Sequence, residues 1–277
     1  MDSNSLSLEE KIKRIKDPYN TKILSAIILC NYKPQLEFWG SEGKFAKEIA
    51  KVFPNEGNLD LNELEFGINP KVVKISHPKA FTQCVLGITE ASLRIEDIIP
   101  GTFNYFISYA ENFLDALSKD ELFGDSFSSL VRFGIRVQLL NQIKESNVDI
   151  ARRNLLTNIT NINSLNSIFK PQAFLPHSLS LEPQNFNLNQ RFVGTLTRGN
   201  KILNYKTNIG IVFGDNEIIK RMTSLSLSEF ESEKTCILTD VDLFIFNCTI
   251  SEAKQLCKHS NDLAPQIHAD LIKELKI

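Results

Sequence analysis

Alternation of apolar and polar positions is the strongest pattern in the chain. Residues 131–140 read Val-Arg-Phe-Gly-Ile-Arg-Val-Gln-Leu-Leu. Val131, Phe133, Ile135, Val137 and Leu139 fall on one side, and Arg132, Arg136 and Gln138 on the other. Successive side chains of a strand point to opposite faces, so this is a strand buried on one side. Residues 237–246, Ile-Leu-Thr-Asp-Val-Asp-Leu-Phe-Ile-Phe, alternate in the same way. They put Asp240 and Asp242 on one face, together with Leu238, Phe244 and Phe246. Residues 23–32, rich in Ile and Leu and followed by Pro34, form a further predicted strand, as do 72–76, 178–181, 191–198 and 202–213. The stretch 83–96 reads as one longer strand with a bulge or bend at Gly87. Arg198-Gly199-Asn200-Lys201 is a hairpin turn in this reading.

Helical periodicity appears in four places. Residues 5–15 form a short charged start, with a turn at 17–20. In 41–53, Phe45, Ile49, Val52 and Phe53 line one face and Lys44, Lys47, Glu48 and Lys51 the rest, ending at Pro54. From Phe103 to Leu117 the stripe Phe103, Phe106, Ile107, Ala110, Phe113, Leu114 is continuous, with Thr102 as N-cap. At the C-terminus, Thr249 and Glu252 have capping-box spacing, and Ala253, Leu256, Cys257, Ile267, Leu271 and Leu275 mark an apolar face. Pro265 is expected to kink or divide this helix, and His259 and His268 to lie on its flanks.

These elements predict an α+β fold: two strand-and-helix halves with a largely antiparallel sheet and a long C-terminal helix. The N-terminal half covers 1–150. The C-terminal half, 151–277, is a β-meander followed by a helix, and the two pack as one unit. Residues 55–70 read as polar and turn-rich. Residues 151–178, rich in Asn, Ser and Thr, read as the link between the halves, and 220–234 as an exposed connection.

Composition narrows the choices. The 277 residues are 42% hydrophobic and 23% charged, which is enough apolar chain to build a core and unlike a disordered sequence. The longest strong apolar run, 23–30, is far short of the ~20 residues a membrane helix needs. The chain opens Met1-Asp2-Ser3-Asn4-Ser5, without a basic start and apolar segment, so no secretory leader is expected and the cytoplasm is the expected location. A net charge of -2 gives no general electrostatic case for a nucleic-acid partner, which would need a local basic patch. The five cysteines are scattered and contain no Cys-x-x-Cys pair, so they read as reduced core thiols.

The candidate chemistry centres on Asp240 and Asp242. Unpaired charge at the edge of a core is too costly to keep, so the carboxylates either hold a divalent ion or meet basic side chains on a neighbouring strand. The second reading is a structural ion network of Asp240 and Asp242 with Arg132 and Arg136, whose guanidinium forks suit carboxylates. It requires no cofactor. The first reading is a magnesium- or manganese-dependent nuclease or nucleotidyl-transfer enzyme, with Asp240 and Asp242 as ligands and Glu90 or Glu96 adding a third oxygen. No diagnostic third motif residue supports it. Phosphate loops are absent, as is a Gly-x-Ser-x-Gly elbow, and His77, His177, His259 and His268 have no Ser or Cys companion. A binding or assembly protein needs no such chemistry. For that class, Phe38 and Trp39, between Pro34 and Gly40, are the candidate anchors for a protein partner or for self-association.

The succession of the strand 131–141, the later 237–243 segment and a terminal helix resembles a sporadically distributed family of uncharacterised bacterial proteins, over roughly the last two thirds of the chain. The resemblance implies a mixed α and β fold and carries over no catalytic residue. Patchy distribution fits accessory or mobile-element genes, including phage-defence systems.

Overall fold

A computed structural model describes residues 21–53, 64–69, 72–77, 82–98, 103–119, 129–145, 147–160, 190–198, 201–213 and 235–275. Among these residues nine strands form one sheet: β1 (Lys22–Asn31), β2 (Glu65–Asn69), β3 (Val72–His77), β4 (Thr82–Gly87), β5 (Glu90–Ile98), β6 (Ser129–Gln142), β7 (Gln190–Arg198), β8 (Lys201–Phe213) and β9 (Thr235–Thr249). Their order is β2-β3-β4-β5-β1-β6-β9-β8-β7. Every neighbouring pair is antiparallel. The sheet joins strands from before and after residue 150 without a break, because β6 pairs with β1 on one side and β9 on the other.

The helices are α1 (Glu42–Ala50), α2 (Phe103–Leu117), α3 (Val148–Thr160) and α4 (Ile250–Leu275), with Pro265 inside α4. Their apolar stripes bury against one face of the sheet. Phe45 and Ile49 of α1, Phe106, Phe113 and Leu114 of α2 and Ala253, Cys257 and Leu271 of α4 join Val73, Ile75, Ile135, Val137 and Val241 in one continuous core. Phe133, Ile135, Val137 and Leu139 of β6 and Ile237, Val241, Leu243 and Ile245 of β9 supply the sheet's share, as alternation demands. Val131, expected on this face, is instead exposed, and its neighbour Leu130 is buried opposite Cys248. Ion pairs fasten the helices outside this core: Lys258 to Glu111, Lys254 to Asp115 and Lys119 to Glu48.

The start of α4 is fixed locally. The Thr249 N–H donates to Glu252 Oε2 at 2.9 Å, and the Glu252 N–H donates to Thr249 Oγ1 at 3.2 Å, a reciprocal capping box. Two residues earlier, Asn247 adopts a left-handed backbone with φ 47°. Phe246 and Asn247 are both exposed and Cys248 is buried, so this kink shifts the phase of the alternation and turns Cys248 into the core.

Four further expectations from the sequence are corrected by the structure. Residues 83–96 are a hairpin, β4 and β5, and not one bent strand; Leu86 faces Ala91 across the turn. Residues 65–69, expected to be turn-rich, form edge strand β2. The link expected from residue 151 is helical up to Thr160, with Val148, Ala151 and Leu155 buried. Asn147 starts this helix, its Oδ1 accepting from the N–H groups of Asp149 and Ile150. His268 is buried and not on a flank. The expectations for residues 5–15 and 17–20, for Thr102, and for 178–181 and 220–234 lie outside the described residues.

Among the described residues, no helix is long and apolar enough to cross a membrane.

Candidate functional site

The second face of the sheet carries the charged residues that alternation sets apart. Strand register places them in rows. Gln138 of β6 faces Asp240 of β9, which faces Asn208 of β8; Arg136 faces Asp242, which faces Lys206; Gly134 faces Phe244, which faces Asn204; and Arg132 faces Phe246. At one end of this face, Leu24, Leu140 and Cys236 form a small buried cluster with Leu238 against it.

The ion pairs run diagonally to these rows. Arg136 reaches one row over to Asp240, its Nε donating to Oδ1 at 2.7 Å and its Nη2 to Oδ2 at 2.5 Å. This fork-on-carboxylate arrangement uses both oxygens of Asp240. The Asn208 amide lies 3.5 Å from Oδ2. Arg132 reaches two rows, its Nη2 donating to Asp242 Oδ2 at 3.0 Å. On the way its guanidinium passes 4.6 Å from the centroid of the Phe244 ring, and Phe246 meets Phe244 edge-on at 5.5 Å.

Gly134 leaves the space for that reach. A Cβ there would lie 3.3 Å from both terminal nitrogens of Arg132 and from Asp242 Oδ1. Gly134→Val is therefore expected to displace the Arg132 guanidinium and cost about 1–3 kcal/mol, as overpacking does. In that background Arg132→Ala should cost less than it does in the wild-type chain, which urea unfolding of the four variants would measure.

The electrostatics of the two pairs differ. Hydrogen bonding to Asp240 raises the Arg136 pKa against the opposing effect of burial. Burial raises the Asp242 pKa, with the neighbouring Asp240 adding to it and Arg132 opposing it. The Arg132 pair thus spends part of its attraction on desolvating Asp242, and the Arg136 fork is the firmer of the two.

The third carboxylate of the metal-dependent alternative stands elsewhere. Ser25 of β1 faces Glu96 on one side and Gln138 on the other, and Gln138 faces Asp240. Glu96 is therefore three strand spacings, about 14 Å, from Asp240. It pairs with Arg94 at 2.6 Å. Glu90 faces Asn31, which faces Arg132, and lies equally far across the sheet in the row of Phe246. Among the described residues no three His, Cys, Asp or Glu side chains come together as a metal-binding group. Each oxygen of Asp240 accepts from one of the two guanidinium donors of Arg136.

Phe38 and Trp39 separate completely. Both belong to a short 3-10 turn and its end, Leu36–Phe38 with Trp39 after it. Phe38 is 0% exposed and stacks on Phe45 of α1 with ring centroids 5.1 Å apart. Its expected role as a contact residue is corrected: it is a core residue. Trp39 is 58% exposed and Leu36 62%. The turn is held from both sides. The Gln35 N–H donates to the Ile88 carbonyl, and the Tyr32 hydroxyl bonds the carbonyls of Gly87 and Glu90. Gly40, at φ 81°, turns the chain from Trp39 into α1 through a backbone conformation that disfavours any side chain.

All five cysteines are buried and none is in a disulfide, and burial is the main cause raising the pKa of Cys30, Cys84, Cys236 and Cys257. Such thiols are poor nucleophiles.

No protein-family model matches the chain, and no curated protein matches it.

Proposed function

We propose that this protein is a non-catalytic binding or assembly component of a bacterial accessory system, with phage defence as its setting, and that Trp39 and Leu36 form the centre of its contact surface. The observation that carries the reading is this pair of large apolar side chains, held outward on a turn anchored by Phe38, Tyr32 and Gln35. A rigid aromatic anchor loses little entropy on binding, which is why such residues dominate interface energetics. The arginine and aspartate residues of the second face support the same reading. They are spent on one another, and Glu90 and Glu96 are too far away to complete a catalytic carboxylate set. The setting rests on the family resemblance, and the expected location is the cytoplasm.

Trp39 is the single tryptophan of the chain and so reports on its own burial. Partners are to be recovered from cells that encode the protein, using wild type, Leu36→Asp and Trp39→Ala, with self-association followed by sedimentation. The expected result is an interaction with a protein partner or a second copy that shifts Trp39 emission to shorter wavelength. Both variants should lose it by at least tenfold in affinity while unfolding at the wild-type midpoint. An interaction indifferent to both substitutions would overturn the reading. So would magnesium- or manganese-dependent nucleic-acid cleavage abolished by Asp240→Asn.

A further inference from the structure

Behind the sheet, α4 holds a buried imidazole with one nitrogen satisfied and one bare. His268 is 1% exposed and its Nε2 contacts Asn141 Oδ1 of β6. The Asn141 amide is oriented by its other bond, Nδ2 donating to Thr21 Oγ1 at 2.8 Å. Oδ1 therefore faces the ring and must accept from an Nε2–H, which leaves Nδ1 as the unprotonated nitrogen. Nδ1 is buried and has no hydrogen-bond partner.

Three residues before His268 stands Pro265. Its ring nitrogen has no hydrogen to give the helix, so one rung is missing and the last turns of α4 are coupled to the rest less tightly than a continuous ladder would make them. Those turns are held by Ile267, Leu271, Ile272 and the His268 contact itself.

We propose that the part of α4 beyond Pro265 is an acid-sensitive latch, in which protonation of His268 at Nδ1 releases that end of the helix from the sheet. A proton on Nδ1 would create a buried cation whose new N–H finds no acceptor, whereas the released segment places the imidazolium in water.

The charged neighbours give it no relief. On β6, Arg132 and Arg136 lie on the opposite face, as do Asp240 and Asp242 on β9. On α2, Glu111 and Asp115 are paired with Lys258 and Lys254, earlier along α4. On α3, Arg152 is paired with Asp149. Burial alone drives the His268 pKa down, to about 3.

His268 contributes fully above the unfolded value of about 6.5, and its contribution is lost progressively as pH falls from there toward the folded value.

The test is amide hydrogen exchange across residues 266–275 at pH 7 and pH 5, corrected for intrinsic rates, in the wild-type chain and in His268→Gln, whose amide can still donate to Asn141. The opening constant of this segment is expected to rise about 25-fold in the wild type on going to pH 5, and less than twofold in the variant. An equal rise in both would overturn the proposal. A direct imidazole titration by NMR on the wild-type chain decides independently should the variant not fold: a His268 value near the ordinary 6.5 would overturn the latch, and no titration of that ring down to pH 5 would support it.

Discussion

Phe38→Ala is expected to destabilise the protein by about 3–5 kcal/mol, while Trp39→Ala, at the next residue, changes stability by less than about 0.5 kcal/mol. The contrast follows from what each ring touches. Phe38 is fully buried and stacked on Phe45, so truncation removes its transfer free energy and leaves a cavity between the turn and α1. The turn's other anchors, the Gln35 and Tyr32 hydrogen bonds, hold the surrounding backbone and limit collapse into that cavity. Trp39 is more than half exposed, and losing it mainly removes surface the native fold leaves in water. Chemical denaturation followed by circular dichroism measures both, since Trp39→Ala removes the fluorescence probe. A large loss for Trp39→Ala would mean that the ring packs in solution, and the proposed contact surface would lose its anchor.

The second large effect is expected from Arg136→Ala, a loss of about 2–4 kcal/mol. The Asp240 side chain is 12% exposed, and without the guanidinium its nearest remaining donor is the Asn208 amide at 3.5 Å. An ionised carboxylate left in that position carries an unrepaid desolvation cost, which for a fully buried pair reaches about 3–5 kcal/mol. The Arg136 side chain is 49% exposed, so water can partly replace it and the lower range applies. Asp240→Asn in the Arg136→Ala background should recover part of the loss, because the charge itself is then gone. A double-mutant cycle between the two positions is expected to give a coupling of about 1–3 kcal/mol, whereas additive effects would show that the fork contributes nothing.

Much of this fold could be read from period-two alternation, and the places where that failed share a cause. β6 and β9 are long and one-sided, so their faces, and with them the grouping of Arg132, Arg136, Asp240 and Asp242, follow from counting. Which arginine meets which aspartate does not follow. The partners are 104 and 110 residues apart, and the diagonal choice depends on register and on the missing side chain at Gly134. That glycine stood in plain view in the strand pattern, but its purpose appears only when Arg132 is seen to cross it. β2 was hidden because an edge strand is covered on fewer sides and tolerates polar residues. The β4–β5 turn was hidden because apolar residues run on both sides of it.

α3 was masked by the Asn- and Thr-rich composition of its surroundings, although Asn147 ahead of Val148, Ala151 and Leu155 is a cap before a helical stripe. Phe38 and Trp39 show the limit most plainly. Two neighbouring aromatics of similar character have opposite fates because a single turn of backbone, closed by Gly40, sends one inward and the other outward.

The central claim is that Asp240 and Asp242 are held by arginines as structural partners. The measurement that tests it most directly is thermal unfolding of the wild-type chain and of the Asp240→Asn/Asp242→Asn double variant, each with and without magnesium or manganese. A ligand that binds only the native state raises its unfolding temperature. The account predicts that the double variant unfolds at lower temperature and that neither ion moves either midpoint. Stabilisation of the wild type alone by metal would contradict it and turn the second face of the sheet into a catalytic candidate.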